Sequence, residues 1–148
     1  MSAPVIERVS ARTLVEPAFF TRLSRRVATV NGLGQEEAER VTDQALAYLA
    51  ASALKGPDVG AFGPSPAVDK GVHAFLEYTR QYDHFFASRG WKKVHHNPTD
   101  VPGREYEPAA VLIPRTLRGI ESAGFVIDPE LWAADKAECN ELPCGDHG

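Results

Sequence analysis

Five histidines and two cysteines sit unevenly along the chain, and none of the histidines precedes His73. Asp69 and His73 are four residues apart, a spacing that puts both on one helix face, with Glu77, Arg80 and His84 continuing the same edge. A carboxylate beside an imidazole in this arrangement suits a divalent cation; an ordinary charged, solvated helix face has the same pattern. His95 and His96 precede Asn97-Pro98. Adjacent residues in extended backbone point to opposite sides, so one of these two imidazoles is expected to face a site on that helix as ligand or acid–base group. The chain ends in a C-x4-C-x2-H cluster of Cys139, Cys144 and His147, with Asp146 as a further oxygen donor. Such a cluster offers soft and borderline ligands in a short loop but needs a fourth from elsewhere. Its alternative reading is a polar tail with two idle thiols.

These residues depend on the elements that carry them. Pro17 suits a first helical turn, and Phe20, Leu23, Val27 and Val30 recur at helical spacing until Asn31-Gly32. A second helix is expected from Gln35 to about Leu54, on the stripe Ala38, Val41, Ala45, Leu49 and Ala53. After a Gly/Pro/Ser-rich loop from Lys55, a third helix is expected from Pro66 to Ser88, because Val68, Val72, Phe75, Thr79, Tyr82 and Phe86 share a face. Trp91 to His96 reads as extended or turn-like. A fourth helix is expected from Pro108 to Ala123, with Pro114 as a kink or a delayed start. Phe125-Val126-Ile127 reads as a brief extended piece.

Composition narrows the function classes. The 148 residues make one domain, and 43% hydrophobic residues suffice for a packed core. A net charge of −4 argues against nucleic acid as the main partner, and no apolar run is long enough for a membrane span. No secretory signal is visible at the start, so a cytoplasmic address is the expectation, and two thiols there read as free or metal-bound. The sequence contains no H-E-x-x-H, G-x-S-x-G, Walker or protein-kinase signature.

The run Pro66-Ala-Val-Asp69-Lys-Gly-Val-His73-Ala-Phe75-Leu76, then Thr79-Arg-Gln-Tyr82, Phe86 and His95-His96-Asn-Pro98, resembles the glycine-rich domain-containing protein-like family, in particular its short actinobacterial members. That family's pattern runs V-D-x-x-W-H, an aromatic-leucine segment, T-x-x-Y, a cysteine and H-H-x-P. Val72 stands where the family has tryptophan and Phe86 where it has cysteine, so no thiol is available on the third helix. The matching positions are Asp69, His73, Tyr82, His95, His96 and Pro98. The resemblance implies a helical domain and no particular reaction.

The expected architecture is a mainly α, compact domain of about four helices over residues 14–132, preceded by a flexible arm over 1–13 and followed by a Cys/His tail over 133–148. The expected function is metal binding at Asp69, His73, His95, His96, Cys139, Cys144 and His147. Zinc is the first choice because nitrogen, sulfur and carboxylate donors together suit it, with iron or copper as alternatives. Two rivals stand beside it. One is a metalloenzyme of actinobacterial secondary metabolism, with Tyr82 or Glu77 moving protons; the other is a metal-free protein-interaction module. A small-molecule substrate and a protein partner both stay open.

Overall fold

Pro17 occupies the first turn of helix α1 (Pro17–Asn31), where a missing N–H leaves nothing unpaired, and Gly32 closes the helix in the left-handed region. The computed structural model describes residues 7–133 and the backbone of 144–145. Helix α2 (Gln35–Leu54) is the central element, buried on most of its circumference and packed against α1, α3 (Pro66–Leu76) and α5 (Ala109–Ser122). Its run of alanines lets neighbours approach from several sides. A close approach to α2 falls at Gly71 of α3, where a Cβ would stand 2.7 Å from the Ala45 Cβ and 3.1 Å from the Val41 carbonyl oxygen.

The third helix is two helices. Helix α3 ends at Leu76, and α4 (Thr79–Ala87) starts after Tyr78, whose φ of −95° and ψ of 69° lie outside the helical region. The Tyr78 ring meets Phe19 edge-on with centroids 5.4 Å apart, and the Arg22 guanidinium lies 4.9 Å from its centroid. Apolar spacing continues through this break, with Phe75, Tyr82, Phe85 and Phe86 all buried, so periodicity alone does not reveal it. Among the described residues the α-helices therefore number six, with short α6 (Pro129–Trp132) the last.

The described residues of the stretch expected to be a flexible arm are built into the fold. Residues Ala11–Leu14 form a 3-10 turn capped by Ser10, and Ala11 is fully buried. Val9 pairs with the Phe125 segment, its N–H donating to Gly124 at 3.0 Å and its carbonyl accepting from Val126 at 3.0 Å. Backbone pairing to a segment far along the chain is invisible to local pattern.

Buried Gln44 ties the chain's later part to α2. Its side-chain oxygen accepts from the Trp132 indole at 2.7 Å and the Asp128 N–H at 3.1 Å, while its amide donates to the Val126 carbonyl at 2.9 Å. Ser65 adds a second tie, capping α3 through the Val68 N–H and donating to the Leu131 carbonyl at 2.7 Å. Leu131 and Trp132 are thus buried by contacts to the helical body. Beyond them, strand β2 (Cys144–Gly145) pairs antiparallel with β1 (Asn97–Pro98), Pro98 opposite Cys144.

Candidate metal centre

Asp69 lies in the first turn of α3, its N–H bonded to the Ser65 carbonyl at 2.8 Å, and its carboxylate is buried against the core. One turn on, His73 projects from the same face with its side chain half exposed. The second imidazole arrives from a different part of the chain. Gly90, in the left-handed region, turns the chain after α4, and the Trp91 N–H bonds back to the Phe86 carbonyl at 3.0 Å. Tyr82 then donates its hydroxyl to the Val94 carbonyl at 2.6 Å, fixing the backbone two residues before His96.

The result is a compact triangle. His73 Nε2 lies 2.9 Å from Asp69 Oδ2 and 2.9 Å from His96 Nε2, and His96 Nε2 lies 3.6 Å from Asp69 Oδ1. Two donors bound about 2.0–2.2 Å from a common ion stand about 3.0–3.5 Å apart, so these edges have the dimensions of one face of a metal coordination shell. Asp69 Oδ1 is buried and has no hydrogen-bond partner among the described residues. Leaving a carboxylate oxygen in that state is costly unless a cation or a donor meets it.

Burial sets the electrostatics. Removal from water pushes the Asp69 carboxyl up to about 6, against the opposing pull of His73. It pushes His96 down to about 4, with the neighbouring His73 acting in the same direction. Above pH 6 the pair therefore presents an ionised carboxylate and a neutral imidazole, the forms a metal ion needs.

The other sequence candidates fall elsewhere. His95 is exposed and outside the triangle. Glu77 pairs with Arg26 at 2.6 Å on the surface. Tyr82 is buried with its hydroxyl committed to Val94, and burial raises its pKa, which makes it a positioning group for the His96 segment. Cys139 and His147 lie outside the described residues, and of Cys144 only the backbone is described. Spacing did not mark Ser65 or Gly71 as supports of α3, nor Gln44 as the tie between α2 and the later chain. A polar residue in a helical run reads as surface, and a lone helical glycine reads as a weak point.

Fold and site together define a mainly helical protein with a carboxylate and two imidazoles converging across one helix and a returning loop. The chain matches no protein-family model, no curated protein and no solved structure, so its geometry carries the functional argument.

Proposed function

We propose that this protein binds a divalent metal ion through Asp69, His73 and His96. The observation that carries the reading is the buried, unpartnered Oδ1 of Asp69 facing His96 Nε2 across 3.6 Å, too long for a hydrogen bond and suited to two ligands of one ion. These are also positions picked out by the resemblance to the glycine-rich domain-containing protein-like family. Zinc is the metal we assign, since imidazole and carboxylate ligands hold it at such distances. Ferrous iron accepts the same two-imidazole, one-carboxylate set, and copper prefers its nitrogens.

A second reading has one observation in its favour. With His73 half exposed, the triangle has an open side, and a cavity of about 160 Å³ lies beside it, walled by Asp69, His73, Lys70 and Asn31. A metal held by three protein ligands with water in a further position is a reactive centre, whereas a fourth protein ligand from the tail makes a closed one.

Metal analysis of protein purified without a histidine tag tests the proposal. Near one equivalent of metal per chain is expected, falling to background in His73→Ala and His96→Ala, with circular dichroism showing that both variants keep their helices. Metal-free protein from supplemented medium, or unchanged content in folded variants, overturns it.

A further inference from the structure

A groove of about 590 Å³ runs between the start of α1 and α4, a size common to small-ligand sites. Leu14, Val15, Ala18 and Phe19 form one wall, and the other is the polar face of α4, with Gln81, His84 and Ser88 beside the buried Phe85 ring. Three guanidinium groups, those of Arg22, Arg80 and Arg89, also line it, in a chain whose net charge is −4.

These arginines differ from others on the surface. Arg8, Arg12, Arg26, Arg40 and Arg115 each face a carboxylate; Arg22, Arg80 and Arg89, like Arg25, Arg104 and Arg118, face none among the described residues, but only these three gather at one groove. Glu16 lines the same groove without forming an ion pair there. Arg89 is used structurally, donating to the Phe85 carbonyl at 2.8 Å and the Leu14 carbonyl at 2.5 Å, so it braces the two walls. Arg22 stacks on Tyr78, which leaves its donors at the groove, and Arg80 bonds to no group among the described residues. The groove thus combines one apolar wall with an excess of three arginines over the single carboxylate of Glu16.

We infer that this groove binds a medium-chain fatty carboxylate, with its alkyl chain along Leu14, Val15, Ala18 and Phe19 and its head met by Arg80 and Arg22. An alkyl chain asks no hydrogen bonds of the walls, and a carboxylate matches the planar donor fork of arginine. This site is separate from the metal centre and does not depend on it.

Calorimetric titration of decanoate, below its micellar range, into the full-length protein tests the inference. One saturable site is expected, with decanol and acetate each weaker by about tenfold or more, the loss of a charge-assisted contact or of the buried chain. Arg80→Ala and Arg22→Ala are each expected to weaken decanoate by about tenfold, Arg80→Lys by less, and the distant Arg118→Ala not at all. Both substituted arginines are exposed, and thermal unfolding of the variants verifies the fold. Amide shifts should cluster at the start of α1 and in α4. Absence of saturable binding, equal binding of decanol, tighter binding of decyl phosphate, or indifference to both arginine substitutions would overturn the assignment.

Discussion

The Nε2 atoms of His73 and His96 stand 2.9 Å apart with their rings nearly perpendicular, at 88°. At that distance one imidazole must donate and the other accept. His73 Nε2 is equally close to Asp69 Oδ2, so a single N–H on it has two acceptors within 2.9 Å and serves only one of them well. A metal ion in place of that proton bonds to all three side chains at once. The arrangement is therefore more fully satisfied by a cation than by any single tautomer.

The first prediction concerns stability without metal. His96 has its pKa lowered on folding, from 6.5 to about 4, so its contribution is complete above pH 6.5 and is lost as pH falls toward 4. Asp69 has its pKa raised from 3.8 to about 6, so its contribution is present below pH 3.8 and is lost as pH rises through 6. In the wild type the two oppose each other and flatten the profile. In Asp69→Asn, stability should rise with pH across that window; in His96→Gln it should fall. Urea titrations at several pH values check this, and profiles of the same slope in the two variants would contradict it.

Metal affinity should depend on pH with a definite sign. Binding displaces the Asp69 proton below about pH 6, so affinity should fall by up to about tenfold per pH unit there. Competition with a chromogenic chelator between pH 5 and 7.5 measures it. A flat profile would mean that Asp69 is not a ligand.

Gly71 tests whether the site depends on helix packing. A methyl group there meets the Ala45 Cβ and the Val41 backbone, neither of which is a flexible side-chain end, so α3 must move away from α2. Gly71→Ala is expected to destabilise the fold by about 1–3 kcal/mol and to weaken metal binding although every ligand is retained. Unchanged denaturation midpoint and unchanged affinity would show that α3 tolerates the shift.

What was legible in the sequence follows a physical line. Helices α1, α2 and α5 were readable to within a residue or so because each has one continuous apolar face and a Pro or Gly punctuating an end. Asp69 and His73 were readable as neighbours because helical spacing is local. That His96 and not His95 joins them required the Gly90 turn and the Tyr82–Val94 bond, which are tertiary. The break at Tyr78 escaped because the residues on both sides of it bury apolar side chains at helical intervals. The Val9–Phe125 pairing and the Gln44 contacts link segments more than eighty residues apart, beyond the reach of any pattern along the chain.

The last prediction concerns the tail. Strand β2 lays the backbone of Cys144 opposite Pro98, two residues beyond His96, so residues 144–145 pair with the loop that supplies the second imidazole. The described donors number three, and a closed zinc site takes four. If the tail supplies the fourth, truncation after Ala137 removes it together with the β1–β2 pairing, and affinity should fall by about tenfold or more. In the intact protein the thiols of Cys139 and Cys144 should then resist alkylation until a chelator is added, because a metal-bound thiolate is a poor nucleophile. The helical body should survive truncation, since Ser65 and Gln44 hold Leu131 and Trp132. Truncated protein that keeps its metal, with both thiols reacting rapidly in the parent, would exclude the tail and leave Asp69, His73 and His96 as a three-ligand centre open on the side of His73.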